Sequence, residues 1–392
     1  MTVEARRLRI LMVLESEFPV ARGGGSEIQL RTLGEALRKR GHRVTVLTPR
    51  LALGPQATAS RHFGLAVGRL AYPRIRVLGG LVMLARMALF LRGHGRRYDA
   101  VHVHIAHHLA LVCCAVAPTV GLRSVVKVSG WWELGRGLMR PDGGLLARLV
   151  RPLWRRVDAW QSVSTRISAA LAGLGVAPER VHAIPNAIDL KRFPARDATR
   201  PAGTPRTLVF VGRLAPEKDL RNLVRAWSQA CGGRSDRRLW LVGTGREMKP
   251  LQRLVEKLGC GGNVAFLGHR DDVSAVLAQA DVGVLPSLME GLSNTLLEFM
   301  ASAMPVLASR VSGSEDLVRP GRTGWLHEPG DVSGMVEALR AMDAADNAEL
   351  AAMGRSARAE VERHAACDRV IDQLLAAYSP DTVVGLKRME AC

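Results

Sequence analysis

LPSLMEGLSNTLLEFMASAMP, residues 285–305, decides the fold of this 392-residue chain. The preceding residues 280–285 are mostly apolar and predict a short buried strand, whereas residues 294–302 have the Leu, Glu, Met and Ala content of a helix. A tight, glycine-bearing turn joins the two, and Ser293 or Asn294 is placed to cap the helix. Strand, turn and helix in this order are typical of a parallel α/β sheet.

The same stretch carries the strongest functional signal. Glu290 lies in the turn, and Glu298 lies about one turn into the helix. Backbone N–H groups at a helix N-terminus favour an anion, phosphate above all. Two carboxylates are poor ligands for phosphate but suit hydroxyl groups, so a nucleotide sugar matches both features. The alternative is a surface acid followed by a solvated helical glutamate.

Strands and helices alternate through the rest of the C-terminal half. Residues 207–212, 238–243 and 263–268 predict strands that are separated by helical segments. Arg213 and Lys218 follow the first of these strands, at the carboxyl end where open α/β sheets bind ligands. The alternation predicts a parallel, doubly wound sheet.

The N-terminal half shows the same alternation, so we predict two Rossmann-like α/β domains. Its predicted strands are residues 8–14, 43–48, 99–104, 124–129 and 180–185, and its clearest helices are residues 27–40 and 165–173. Residues 190–206 contain three prolines and few apolar side chains, which predicts a hinge. The predicted division is 1–195 for the first domain, 206–370 for the second, and a tail, 371–392, that packs back on the first.

Seven motifs, taken in order, resemble those of a known family. They are GGGSE (23–27), IPNAID (184–189), FVGRLAPEK (210–218), LVGTG (241–245), VAFLG (264–268), Ala280-Asp281, and residues 290–298. In this order they are similar to retaining glycosyltransferases of the GT-B type, in the large family 4 of nucleotide-sugar-dependent enzymes. The resemblance implies two Rossmann-like domains facing a cleft, with the acceptor on the N-terminal side and the sugar donor on the C-terminal side.

The resemblance also implies roles for individual residues. Arg213 and Lys218 are similar to the pair that neutralises the diphosphate of the sugar donor, which gains negative charge as the glycosidic bond breaks. Glu290 resembles the acid that contacts the transferred sugar, and with Arg213 and Lys218 it makes up the catalytic set. Glu298 resembles the acid that binds the ribose hydroxyls. The implied donor-binding residues are Glu298, Gly291, Leu292, Ser293, Asn294, Gly212, Gly268 and His269.

The acceptor side is less well defined, and the chain departs from the family pattern at two positions. Asp219 follows Lys218 where the family usually has glycine, which bears on the shape of the loop and on the neighbouring cation. Ser129 stands where a histidine is common near the transferred sugar, so no catalytic histidine is carried over. The candidates for an acceptor or phosphate loop are Gly24, Gly25, Ser129, Gly130 and Glu133, with Gly23 preceding them.

We expect neither a metal nor a cofactor beyond the nucleotide-sugar co-substrate. Histidines crowd one strand end, but no cysteine or acid completes a metal-binding set with them, and a polar lining is the alternative. The Asp-x-Asp pair of metal-dependent sugar transferases is absent from the sequence. The histidines are His102, His104, His107 and His108.

Charge is distributed unevenly along the chain, whose net charge is +19. Residues 1–195 carry 30 Lys and Arg against 11 Asp and Glu, so the whole excess lies in the first half. Segments 84–97 and 148–156 mix arginine with Leu, Phe and Trp, which favours docking on an anionic membrane surface. The alternative is an arginine-rich composition on solvated helices. Nucleic acid is not expected, because no basic motif is interleaved with aromatic residues.

These observations together predict a metal-independent hexosyltransferase. It would move a hexose from a UDP- or GDP-sugar to a lipid-linked or glycan acceptor in cell-surface polysaccharide or glycolipid synthesis, with the retention of configuration that the resemblance implies. The alternative is a catalytically weak nucleotide-sugar-binding scaffold protein. Six cysteines without a CxxC pair and a first strand too short for a signal peptide indicate a cytoplasmic protein. The expected location is the inner face of the membrane.

Overall fold

A computed structural model describes residues 6–19, 24–50, 57–75, 77–135, 137–140, 144–196 and 203–379. These residues divide into two compact units, the first drawn from Met1–Ala187 and Cys367–Cys392 and the second from Ile188–Ala366. The predicted border at residue 195 therefore falls inside the second unit. Of the predicted hinge, residues 197–202 lie outside the described residues.

In the described residues of the first unit, eight strands form one sheet in the order β3-β4-β2-β1-β5-β6-β7-β8. Every neighbouring pair is parallel except β3 with β4, so the predicted parallel sheet is confirmed and carries one antiparallel edge strand. The strands are β1 (Arg9–Val13), β2 (Arg43–Pro49), β3 (Ala59–His62), β4 (Leu65–Leu70), β5 (Ala100–Val103), β6 (Arg123–Val128), β7 (Ala159–Ser162) and β8 (Val181–Ala183).

Helices connect these strands and cover the sheet. In α1, Leu30, Leu33 and Leu37 recur at helical spacing and are fully buried in the core of the first unit. Strand β5 is buried along its whole length, as expected of a strand covered on both faces. The helices are α1 (Gly25–Lys39), α2 (Leu78–His94), α3 (His108–Val116), α4 (Trp131–Gly135), α5 (Leu145–Trp154) and α6 (Thr165–Gly173).

The part of the second unit that the structure describes forms a parallel sheet of six strands in the order β11-β10-β9-β12-β13-β14. Counted within the unit this is the order 3-2-1-4-5-6 of a doubly wound fold. The strands are β9 (Arg206–Val211), β10 (Arg237–Val242), β11 (Val264–Gly268), β12 (Val282–Leu285), β13 (Val306–Ser309) and β14 (Gly324–His327). The helices are α7 (Leu220–Cys231), α8 (Met248–Lys257), α9 (Val273–Leu277), α10 (Asn294–Ala301), α11 (Ser314–Leu317), α12 (Val332–Ala344) and α13 (Asn347–His364).

The chain then returns to the first unit as α14 (Cys367–Tyr378). Val370, Ile371 and Leu374 of this helix are fully buried in the first unit's core, and α14 packs against α1 and β6. The return begins earlier than the predicted residue 371, and residues 380–392 lie outside the described residues. Among the helices that the structure describes, none combines the length and apolar character that crossing a bilayer demands.

Candidate functional site

The strand order of the second unit reverses between β9 and β12. Ligands of open α/β sheets bind beyond the carboxyl ends of the strands at such a switch point. Residues 212–219 follow β9, and residues 286–293 follow β12. The two loops are joined where Leu288 N–H donates to the carbonyl of Glu217 at 2.9 Å. The sequence-predicted residues Lys218 and Glu290 are thus on neighbouring loops at the edge where a ligand is expected.

Lys218 and Glu290 form an ion pair at this switch point. The Lys218 ammonium contacts Oε1 of Glu290, and the hydroxyl of Ser287 donates to the same oxygen at 2.8 Å. The two charged side chains are only 18% and 14% exposed, so solvent screens their interaction less than it would at the surface. Ser287 was missed from the sequence, because a serine after a strand carries no distinctive signal.

The backbone conformation at Asp219 explains why the family usually has glycine at this position. Its φ of 52° places it in the left-handed region, where glycine has no steric penalty. Aspartate tolerates this conformation when its side chain makes a local hydrogen bond, and here Oδ2 accepts from Asn222 Nδ2 at 3.1 Å. The loop therefore keeps its turn despite the substitution, and burial raises the pKa of Asp219.

Arg213 is more open than Lys218. Its guanidinium pairs with Glu217 at 2.8 Å, four residues on, and the arginine side chain is 73% exposed. Sequence reasoning missed Glu217, although a glutamate four residues from an arginine could have indicated the pair. An exposed ion pair of this kind contributes little to stability, so Arg213 can leave Glu217 for a stronger anion.

Three glycines line the carboxyl ends of adjacent strands and keep that edge open. Gly212, Gly243 and Gly268 follow or end β9, β10 and β11, and Gly243 N–H donates to the Gly268 carbonyl at 2.7 Å. A Cβ at Gly243 would lie 1.9 Å from the carbonyl oxygen of Gly212, which no side chain could accommodate. His269, next to Gly268, is 43% exposed and contacts Asp271 at 3.2 Å.

Helix α10 begins at Asn294, with Ser293 in the N-cap position as predicted. The Ser293 side chain makes no capping hydrogen bond, so it does not compete with an anion for the first N–H groups of the helix. Gly291 and Leu292 are buried in the turn before it. This arrangement can receive negative charge at the helix N-terminus.

Glu298 is a partly buried glutamate in the second turn of α10. Burial raises its pKa from 4.5 to about 7, and the positive charge of Arg192 acts in the opposite direction. Arg192 did not emerge from the sequence, because it lies more than a hundred positions from α10. A carboxyl group that titrates near neutrality can both donate to and accept from a hydroxyl group.

The raised pKa of Glu298 predicts a pH-dependent stability difference for Glu298→Gln. The folded protein binds the proton of the Glu298 carboxyl group more tightly than the unfolded chain does. The stabilisation is therefore complete below about pH 4.5 and is lost as the pH rises through about 7. Relative to wild type, the glutamine variant should gain up to about 3 kcal/mol in the free energy of unfolding between pH 5 and pH 8. Denaturant titrations at both pH values measure this difference, and Glu337→Gln, at an exposed position, is the control. The prediction is contradicted if the difference in unfolding free energy between Glu298→Gln and wild type is the same at pH 5 and pH 8.

In the first unit, Glu133 is fully buried and supports the loop that follows β6. Its Oε1 accepts from the backbone N–H groups of Ser129 and Gly130, both at 2.8 Å, and from the Ser129 hydroxyl at 2.6 Å. Its Oε2 accepts from Ala106 N–H at 2.6 Å. Burial raises its pKa to about 7, against these hydrogen bonds. With both oxygens held by protein groups, Glu133 positions Ser129 and Gly130.

The glycine loop lies at the start of α1. Gly24 occupies the N-cap position and Gly25 is the first helical residue, while Gly23 lies outside the described residues. A Cβ at Gly24 would lie 2.7 Å from a carboxylate oxygen of Glu27, and Glu27 in turn accepts from the Ser16 hydroxyl at 2.5 Å. Gly24 thus allows the backbone to approach this carboxylate closely.

The four histidines separate into two pairs. His102 and His104 are fully buried and stacked at 4.4 Å, and His102 contacts the Tyr378 hydroxyl at 2.7 Å. Burial lowers the pKa of His102 to about 3 and that of His104 well below its usual value, so both are neutral core residues. His107 and His108 instead lie beside an acid that the sequence argument did not include.

That acid is Glu15, which lies just after β1. Its Oε1 is 2.9 Å from Nδ1 of His107 and 3.1 Å from Nδ1 of His108, and its Oε2 accepts from Leu109 N–H at 2.9 Å. Burial opposes ionisation, but these hydrogen bonds outweigh it and lower the pKa of Glu15 to about 2, while Glu15 raises the pKa of His107. The premise that no acid completes a set with the histidines is therefore wrong.

Two helices of the first unit present exposed apolar side chains. Leu78, Leu81 and Leu89 of α2 are 49%, 59% and 65% exposed, and Leu145 and Leu149 of α5 are 74% and 66% exposed. We call these five leucines the leucine patch. Both helices pack against α3.

Trp154 does not take part in this patch. It is 6% exposed and packs against Trp160 at 5.8 Å. The expectation that the tryptophan of segment 148–156 inserts into a lipid interface is therefore wrong, because its ring is buried against Trp160.

Comparisons with solved structures show that the fold is that of the GT-B glycosyltransferases. The protein resembles the Anabaena protein HepE in complex with UDP, with a TM-score of 0.76 and 20% identity over 95% of this chain and 100% of HepE. It also resembles sucrose-phosphate synthase from Thermosynechococcus elongatus, with a TM-score of 0.79 and 22% identity over 94% of this chain and 98% of the synthase.

Sequence comparison is more specific. Residues 205–344 match the family described as glycosyl transferases group 1, and residues 23–192 match glycosyltransferase family 4. The chain is 31% identical to a GDP-mannose-dependent alpha-mannosyltransferase of Mycolicibacterium smegmatis, over 98% of this chain and 100% of that protein. The chain therefore belongs to the family 4, group 1 glycosyltransferases.

Proposed function

We propose that this enzyme transfers a hexose from a nucleoside-diphosphate sugar to a lipid-linked or glycan acceptor, with retention, in the synthesis of a cell-surface polysaccharide or glycolipid. The observation that carries the proposal is the Lys218–Glu290 pair, supported by Ser287 at the switch point of the second unit. A cation for the diphosphate and an acid for the sugar lie side by side there. Retention is proposed on the resemblance to family 4.

Each charged group has a separate task in the proposed reaction. Lys218 and Arg213 meet the diphosphate, whose negative charge grows as the bond to the sugar breaks, and the first N–H groups of α10 add to this stabilisation. Both contacts of Glu290 described above fall on Oε1, so Oε2 keeps its capacity to accept from a sugar hydroxyl. Glu298 binds the ribose hydroxyls, and the exposed His269 lies where the base is received.

GDP-mannose is the first sugar donor to test. The relative that shares 31% identity over nearly the whole chain is named as GDP-mannose-dependent. HepE was solved with UDP, but its 20% identity shows the fold alone. We therefore place GDP-mannose ahead of UDP-glucose within the UDP- and GDP-sugars.

A panel of GDP-, UDP- and ADP-sugars tests this proposal. Thermal shift reports binding, and release of the nucleoside diphosphate reports turnover. We expect binding of one nucleotide class and slow release of its diphosphate, accelerated by an added acceptor extract. Binding without release, with or without the extract, would favour the scaffold alternative. If no nucleotide sugar binds, the site assignment is wrong.

Nucleotide binding should not require a divalent cation, because Arg213 and Lys218 are the proposed partners of the diphosphate. We expect the Kd of GDP or UDP, whichever binds, to be the same within about twofold with excess chelator and with added Mg²⁺ or Mn²⁺. Isothermal titration calorimetry on the same preparation gives both values. Binding that appears only when the metal is restored would overturn the assignment of these two residues.

The acceptor side of the proposal includes reversible docking of the first unit on the inner face of the cytoplasmic membrane. The leucine patch supplies apolar side chains, and the exposed Arg92 on α2 and Arg148 on α5 follow Leu89 and Leu145 by three residues, close to one helical turn. Leu145 and Leu149 are one helical turn apart, with Arg148 between them, an arrangement suited to an interface with anionic headgroups. A lipid-linked acceptor would be met at this surface.

Docking predicts that the protein co-sediments with anionic vesicles at low salt. Binding should weaken at 0.15 M salt, where the screening length falls to about 8 Å. Leu149→Glu should reduce the affinity of the protein for anionic vesicles about tenfold or more, because one leucine is no longer buried in the membrane. Ala352→Glu adds the same charge at an exposed position of α13 in the second unit and should change little. Indifference to anionic vesicles even at low salt would favour a glycan acceptor in solution.

A further inference from the structure

A cluster of one acid and two histidines lies at the switch point of the first unit's sheet. The strand order reverses between β1 and β5, and Glu15 follows β1 while His107 and His108 follow β5. The glycosyl-transfer proposal assigns no task to these three side chains. They are 12%, 27% and 45% exposed respectively, so the cluster is sheltered but open on the His108 side.

The three side chains converge on one point. One ligand atom from each of them lies within 4.8 Å of the others. The carboxylate Oε1 is 2.9 Å and 3.1 Å from the two Nδ1 atoms. A tetrahedral zinc ion with bonds of about 2.0 Å separates its ligand atoms by about 3.3 Å, which is close to both of these oxygen–nitrogen distances.

The second carboxylate oxygen fixes the direction of the first. Leu109 N–H in the first turn of α3 donates to Oε2 of Glu15 at 2.9 Å. Capping that turn of α3 requires only this one oxygen. The hydrogen bond from Leu109 therefore leaves Oε1 directed at both imidazoles. In metal sites, an outer hydrogen bond orients a metal-binding carboxylate in the same way.

We propose that Glu15, His107 and His108 form a binding site for a zinc-class divalent transition-metal ion. Two imidazoles and one carboxylate make up a ligand set that zinc accepts and that leaves a position open for water or an oxygen of a bound molecule. Imidazole ligands disfavour Mg²⁺ and Ca²⁺, which prefer oxygen. The site lies in the first unit and is independent of the metal-free nucleotide binding proposed for the second.

Metal titration of the untagged, chelator-treated protein tests the site directly. Calorimetry with Zn²⁺ should show one ion bound per chain, and Co²⁺ should give the visible absorption of a tetrahedral complex without the thiolate charge-transfer band that cysteine ligands produce. Glu15→Gln and His108→Gln should each weaken Zn²⁺ binding at least about tenfold, because even the loss of an outer partner costs that much.

His364→Gln is the matched control. His364 and Glu360 form a single histidine–glutamate pair on α13, at 3.3 Å, so the control removes an imidazole beside an acid without a second histidine. It should leave Zn²⁺ binding unchanged. GDP or UDP titration of every variant reports separately that the second unit is intact, and if Glu15→Gln fails to fold, the half-exposed His108→Gln decides. Absence of saturable binding, or equal binding in wild type and His108→Gln, would overturn the proposal.

Discussion

Replacement of Lys218 by alanine should lower kcat by about 10²–10³-fold, or about 2.7–4 kcal/mol of transition-state stabilisation. The lysine is only 18% exposed beside Glu290, so its positive charge is poorly screened by water. That charge matters most when the diphosphate departs, and its loss should therefore affect kcat more than the KM for the nucleotide sugar. Steady-state kinetics of nucleoside diphosphate release measure both quantities.

Arg213→Ala tests the same idea from a more exposed position. Its guanidinium is 73% exposed and shared with Glu217, so we expect a smaller fall in kcat than for Lys218→Ala. Arg363→Ala removes a cation paired with Glu360 on α13 and should leave the kinetics unchanged. If Lys218→Ala turns over at the wild-type rate, the diphosphate is neutralised elsewhere and the site assignment is wrong.

The two parallel sheets were predictable from the sequence because hydrophobic runs and glycine-bearing turns alternate at regular spacing in both halves. Lys218 and Glu290 were also predictable as neighbours in principle, because each follows a strand, and the carboxyl ends of parallel strands share one edge. Their direct contact depends on the strand order, which brings β9 beside β12. Local sequence contains no information about that order, so the ion pair had to come from the structure.

Two further features could not be derived from local pattern. Strands β3 and β4 meet through Phe63 and Gly64, both with positive φ, and phenylalanine gives no signal for such a turn. Glu15 is 92 residues from His107 and 93 from His108 along the chain, and only the adjacency of β1 and β5 brings them together. A search for metal ligands confined to neighbouring residues therefore excludes the acid that completes the cluster.

Glu290 and Glu298 should respond differently to substitution. Glu290→Gln should lower kcat by about 10²-fold with little change in KM, because the amide keeps the contacts to Ser287 and Lys218 but loses the charge that orients the reacting sugar. Glu298→Ala should instead raise the KM of the nucleotide sugar, since it removes contacts to ribose that are already present in the ground state.

The melting temperature and kcat of Glu290→Gln together distinguish a structural role of Glu290 from an orienting one. If Glu290 is merely structural, the Glu290→Gln enzyme should have a lower melting temperature and an unchanged kcat. If Glu290 orients the sugar, the variant should keep its melting temperature and have a lower kcat. The double variant Lys218→Ala/Glu290→Gln separates the pair further. If the two side chains act as a unit, its loss in kcat should be much smaller than the product of the single losses. Full multiplication of the two effects would mean that the ion pair is incidental, and each residue would then act on the nucleotide sugar independently.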